Sequence, residues 1–208
     1  MKLLTIIVLC LAFGALSDVV VMQPGPADGK DAEASEFAPE ANYGSYDNMK
    51  CGFQAGYWAW TYIEFEELNE AQYQGVDVLS AYLSLNVITY FGSGEFLIGT
   101  PDGPWDESTI TWNNKPDPSG TVTVMADYPD FTGWVNYDVT ELVQAWLNGT
   151  VPHHGFVLHD YTSSTNRGFH MHSSDCQTSP DLRPELILSY DPQGSLDTST
   201  WGKIKTVF

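Results

Sequence analysis

"YWAWTYIEFEEL" (57–68) is the stretch whose reading decides the fold. Taken two residues at a time, Thr61, Ile63 and Phe65 fall on one side, with Trp58, Trp60, Tyr62 and Glu64 on the other. "DVLSAYLSLNV" (77–87) divides in the same way, with Leu79, Ala81, Leu83, Leu85 and Val87 opposed to Ser80, Tyr82, Ser84 and Asn86. A period of two belongs to strands. A sheet with one aliphatic side must seal that side against a second layer.

Outward from these two strands, short runs rich in Val, Ile, Thr, Tyr and Trp recur between Gly, Pro, Asn and Asp clusters. They predict strands near 19–22, 30–34, 49–54, 57–65, 77–88, 96–99, 108–112, 121–126, 133–137, 154–159, 167–172 and 184–190. One segment has helical spacing, "DVTELVQAWLNG" (138–149). Its Val139, Leu142, Val143, Trp146 and Leu147 form a single apolar stripe, Asp138 can cap the first amides, and Gly149 supplies a left-handed exit. The expected fold is all-β: a jelly-roll-like sandwich of two antiparallel sheets with one short helix at about 138–148.

The chain of 208 residues suits one domain with a tail at each end. Met1-Lys2 followed by the apolar run Leu3–Leu16 and Ala15-Leu16-Ser17 reads as a secretory signal over 1–17, with Asp18 starting the mature chain. The expected location is therefore extracellular or cell-surface, with the periplasm as an alternative. No later run is long enough for a membrane span. Residues 18–191 make the domain, and 192–208, ending "WGKIKTVF", form a linker and a short sorting or docking tail, or else a further strand or frayed end. Loss of the signal removes Lys2 and takes the formal charge from -19 to -20. Eight Lys and Arg against 27 Asp and Glu leave nothing to replace the counterions of a nucleic acid. Cys51 and Cys176 remain in the mature chain and allow one disulfide or two buried thiols.

The usual catalytic signatures are missing: no GxSxG, no HExxH, no phosphate-binding glycine loop and no dinucleotide fingerprint. Adjacent carboxylates such as Asp106-Glu107 would point to opposite faces of a strand and read as solvated charge. His170 and His172 share one strand face, where they form a polar row or, with a third ligand, a transition-metal pair. "PADGKDAE" (26–33) and "TPDGPWDE" (100–107) bring Asp28, Asp31, Asp102, Asp106 and Glu107 into turn-rich loops, the oxygen-rich setting of calcium. No cofactor is required, and a structural calcium ion is the one metal expected here. The second faces of the two opening strands carry Trp58, Trp60, Tyr62 and Tyr82 beside hydroxyl and amide groups. Left uncovered by loops, tail or further core, such rings stack on the C–H faces of sugars while polar neighbours bind hydroxyls.

Several landmarks occur in order: "QPGPADGKDAEAS" with Asn42-Tyr43-Gly44, "YIEFEEL" (62–68), "VDVLSAYLSLNV" (76–87), "WDESTITWNNKP" (105–116), "YDVTELVQAWLNGTVPHHGFVL" (137–158) and "RPELILSY" (183–190). Through them the chain resembles the DNRLRE domain, a secreted bacterial β-sandwich related to an alginate-binding carbohydrate-binding module. The resemblance spans about 19–191 and implies glycan binding without catalysis. It makes "WDESTITWNNKP" a structural signature, with Trp112 expected to be buried on a strand and Asn113-Asn114-Lys115-Pro116 forming its turn. The family's alginate binders use lysines and an arginine. Here the domain offers Lys30, Lys50, Lys115, Arg167 and Arg183, and Glu64 stands where the family has arginine. The sequence thus points to a polysaccharide partner, preferably neutral, held by Trp58, Trp60, Tyr62 and Tyr82 with Asn86, His170 and His172 as polar contacts. A structural cell-surface or matrix domain and a polysaccharide-degrading enzyme are the alternatives. Oligomeric state is not encoded in any of these patterns.

Overall fold

The structure, a computed structural model, describes residues 17–160 and 165–192. The expected signal peptide, apart from Ser17, and the expected tail, apart from Gln193's predecessor Pro192, lie outside the described residues. The strands are β1 (Asp18–Met22), β2 (Lys30–Ser35), β3 (Asn48–Gln54), β4 (Tyr57–Glu64), β5 (Asp77–Phe91), β6 (Glu95–Pro101), β7 (Pro118–Asp127), β8 (Gly133–Asp138), β9 (Phe156–His159), β10 (Arg167–His172) and β11 (Glu185–Asp191). Among the described residues one α-helix, α1 (Thr140–Leu147), lies between β8 and β9. The all-β class with one short α-helix is as the sequence predicts.

All strand pairs are antiparallel and join into one sheet, in the order β1-β11-β5-β10-β3-β4-β9-β6-β7, with β2 on β4 and β8 on β5. The expectation of two separate sheets is refined: one hydrogen-bonded sheet curls over its own core. Its corner is the β3–β4 hairpin. There β4 pairs with β3 through Tyr57–Ala59 only, then with β9 through Thr61–Ile63. The hairpin turn is Ala55-Gly56, both at positive φ (54° and 92°), the twist that a two-residue connection requires.

The core lies inside the curl. Ala81, Leu83, Leu85 and Val87 of β5, Leu186 and Leu188 of β11, Phe169 and Met171 of β10, Ile63 of β4, Phe156 and Leu158 of β9, and Phe96 and Ile98 of β6 all contribute. Phe96 meets Phe169 and Tyr137 across it, with ring centroids 5.5 and 5.4 Å apart. α1 closes one end with Leu142, Val143, Trp146 and Leu147. Asp138 accepts the Thr140 amide at 3.0 Å, and Gly149 leaves the helix at φ 72°. Leu79 departs from the expected aliphatic face. The pairing of β11 with β5 shifts register between Ser189 and Tyr190, and Leu79 is left exposed.

Residues 105–116 contain no strand, which corrects the expected strand at 108–112. They are successive turns tied by side chains. Asp106 accepts from the Ser108 amide (2.9 Å), and Asn114 accepts from the Thr111 amide (2.6 Å) while donating to the Thr109 carbonyl (2.9 Å). Asp, Asn, Ser and Thr make such local bonds in place of a ladder. The loop lies over the outer face of β2, β4 and β9. Its Trp105 and Ile110 form a second core with Ala32, Ala34, Trp60, Tyr62 and Val157, against which Trp58 and Trp112 pack. Trp112 is half-buried there rather than sunk in the main core.

Candidate functional site

The alternation read from β4 is real, but its second side is covered. Trp60 is 2 % exposed and Tyr62 is fully buried. Lys115 lies over the Trp60 and Trp112 rings at 4.0 and 4.4 Å, and the Tyr62 hydroxyl donates to the Pro116 carbonyl at 2.7 Å. The expectation that Trp58, Trp60 and Tyr62 offer an open row of rings is therefore corrected: a loop distant in sequence roofs over that face. Trp58, half-buried, packs on Phe53 with centroids 4.7 Å apart.

At the corner of the curl, where β3 and β4 splay, a cleft of about 220 Å³ opens. Glu33 and Ser35 of β2, Lys50, Gly52 and Gln54 of β3, Tyr57 and Trp58 of β4, Phe91 of β5 and His170 of β10 line it, with Phe37 and Tyr43 from the β2–β3 connection. Register explains the gathering. Lys50 pairs with His170 and Gln54 with Tyr57, and directly paired residues project to the same side. Gly52 is at φ 132° and lies so close to the Arg167 carbonyl that no side chain fits, which keeps that part of the wall bare. Phe37 and Tyr57 are 70 % and 42 % exposed and meet edge to face at 5.2 Å.

The cleft is polar but electrically balanced. Burial raises the Glu33 carboxyl, while the Lys50 ammonium, the Lys50 amide and the Ser35 hydroxyl draw it back down. Burial and the nearby Lys50 lower His170, favouring the neutral imidazole with one donor and one acceptor nitrogen. Among the described residues, Lys50 is the one lysine or arginine lining the cleft. The other cations of the domain are engaged elsewhere. Lys30 pairs with Glu64 at 2.6 Å, Arg167 pairs with the buried Asp160 at 2.6 Å, Arg183 donates to the Cys176 carbonyl at 3.1 Å, and Lys115 sits on its two tryptophans.

Of the residues the sequence singled out, Trp58 and His170 meet in this cleft. Tyr82 is exposed on another face beside Leu79 and Thr123, and Asn86, paired with Trp134, is buried. His172 shares the strand with His170 but does not line the cleft. Sequence reasoning missed Phe37, Tyr57 and Gln54; Lys50 counted there only as one of the domain's few cations, and Glu33 only as part of the acidic 26–33 loop. The signal for Tyr57 was present in "QAGY" (54–57), where a two-residue turn places Gln54 directly opposite it.

Asp31 and Glu107 are brought together, with the Asp31 amide donating to Glu107 Oε1 at 2.7 Å. Asp28 and Asp106 border a shallow hollow with Glu107, and Asp102 stands apart from it, exposed. Among the described residues no three His, Cys, Asp or Glu side chains are gathered in one place, so neither the acidic loops nor His170 with His172 form a cluster of that size. Cys51 and Cys176 are free and buried, so of the two alternatives open in the sequence the structure has the pair of buried thiols and not the disulfide. Cys51 belongs to the main core, whereas Cys176 sits in the β10–β11 connection with its sulfur 3.7 Å from the Thr178 hydroxyl. No described helix is long and apolar enough to cross a membrane.

A model of carbohydrate-binding module family 96 matches residues 29–190, and the chain belongs to that family. No curated protein matches it.

Proposed function

We propose that this member of carbohydrate-binding module family 96 is an exported, non-catalytic module that holds a neutral polysaccharide in the cleft at the β3–β4 corner. The observation that carries this reading is the cleft itself, with exposed aromatic rings at its mouth and amide, hydroxyl and imidazole groups on its walls. Phe37 and Tyr57 stack on a sugar ring, and Gln54, Ser35 and neutral His170 exchange hydrogen bonds with its hydroxyls. Lys50 faces Glu33, so the site has no surplus positive charge for a polyanion such as alginate. Glu33 is the single carboxylate among the described lining residues, whereas hydrolysis of a glycosidic bond ordinarily employs two.

Affinity gel electrophoresis through neutral and acidic polysaccharides tests the proposal. Retardation by a neutral gel, weakened about tenfold or more (about 1.4 kcal/mol) by Tyr57→Ala or by Phe37→Ala, is the expected result. Both side chains are exposed, so these variants should fold normally. Equal retardation of wild type and both variants would remove the cleft from the proposal, and sustained release of reducing sugar would make the protein an enzyme.

A further inference from the structure

Asp31 of β2 is 2 % exposed. Its Oδ2 accepts the Ser174 amide at 2.7 Å. Its Oδ1 faces the equally buried Ser174 hydroxyl, and among the described residues neither atom has any other partner. Glu107 reaches in from the 105–116 loop to accept the Asp31 amide. The charged neighbours acting on Asp31 are Glu107 and Asp175, both negative. Lys30, adjacent in the chain, is turned to Glu64, and Arg183 acts on Asp175. A buried carboxyl whose second oxygen meets only a hydroxyl, and whose charged neighbours are negative, is costly unless a proton or a cation sits against it.

We propose that Asp31 Oδ1, the Ser174 hydroxyl and the Glu107 carboxylate form a binding site for one calcium ion. The donors are hard oxygens from three separate segments: β2, the 105–116 loop and the β10–β11 connection. An irregular all-oxygen set of this kind suits calcium better than magnesium, which demands a near-ideal octahedron. The site holds two carboxylates rather than three, in keeping with the absence of a three-residue acidic group among the described residues. Water and main-chain oxygens complete the shell. Its affinity therefore belongs with extracellular modules, at a dissociation constant of about 10⁻⁴–10⁻³ M. Bound there, the ion fastens the roof over β4 to the strand beneath it. This inference does not depend on what the cleft binds.

The test uses the mature chain stripped with a chelator, followed by calorimetric titration with calcium chloride and thermal unfolding in calcium or magnesium chloride at matched ionic strength. One calcium per chain is expected, with a Tm that climbs with calcium concentration and responds far less to magnesium. Ser174→Ala and Glu107→Gln should each weaken binding about tenfold or more, and Asp31→Asn should abolish it. Asp28→Asn, an exposed neighbour, should bind as wild type does. The proposal is overturned if no heat or shift appears up to about 10 mM calcium, well above the expected affinity. It also fails if magnesium acts equally, as for diffuse surface charge, or if Ser174→Ala and Glu107→Gln both bind like wild type. A chelated wild type that loses stability as pH rises through about 8, with no response to calcium, would show a proton in the ion's place.

Discussion

Trp60→Ala separates a structural tryptophan from a binding one. Trp60 is almost wholly buried in the second core, under Trp112 (centroids 5.2 Å apart) and beside the His159 ring at 5.5 Å. Truncating a large aromatic in such a place costs about 3–5 kcal/mol. The value here should fall in the upper half of that range. Lys115, only 10 % exposed along its side chain, rests over the Trp60 ring, and a desolvated cation–π contact adds about 2 kcal/mol that the cavity would forfeit. Against a total stability of about 5–15 kcal/mol for a domain, the loss brings the chain near its unfolding threshold. Urea denaturation followed by circular dichroism measures it, since the slope against denaturant reports whether unfolding remains two-state. Tyr57→Ala, at the mouth of the cleft, should stay within about 0.5 kcal/mol of wild type. The assignment of Trp60 to the roofed core is refuted by a loss below about 1 kcal/mol. It is equally refuted if Trp60→Ala abolishes polysaccharide retention while stability is unchanged.

Ala55 occupies a left-handed position in the β3–β4 turn, which costs an L-residue with a Cβ about 1–2 kcal/mol. Ala55→Asn should therefore raise stability by about 0.5–1 kcal/mol in urea, since asparagine tolerates this conformation and the hydrogen bond that the residue-55 backbone N–H donates to Asn166 Oδ1 (3.0 Å) is kept. Burial holds His159 at about 4, below its ordinary 6.5, so the unfolded chain takes up a proton first on acidification. The stability from its neutral form is complete above about pH 6.5 and lost as pH falls towards 4, by up to about 3 kcal/mol. Asp31, raised to about 8, slopes in the opposite sense over the same range. The readout is accordingly the difference between wild type and His159→Gln, which should shrink the acid loss; parallel profiles for the two would contradict the assignment.

The strands were legible because their periodicity is local. β5 and β10 announce themselves through alternating side chains, and α1 through its single stripe with Asp138 and Gly149 at its ends. The division of β4 into two sides was equally plain. Its consequence was not, because burial of Trp60 and Tyr62 depends on a loop more than forty residues away in the chain lying across them. That loop misread as a strand for a related reason. "STITW" has strand composition, but Asp106 and Asn114 satisfy its backbone locally, a competition that composition does not register.

The sequence alone determined the all-β class, the helix and the shortage of free positive charge, since each follows from residue types and their spacing along the chain. Only the tertiary structure decided which aromatic rings meet solvent. Exposure is a property of what lies opposite a side chain, and the partners of Tyr57, Phe37 and Asp31 come from strands and loops brought together by register at the sheet's corner and by a roof of distant origin.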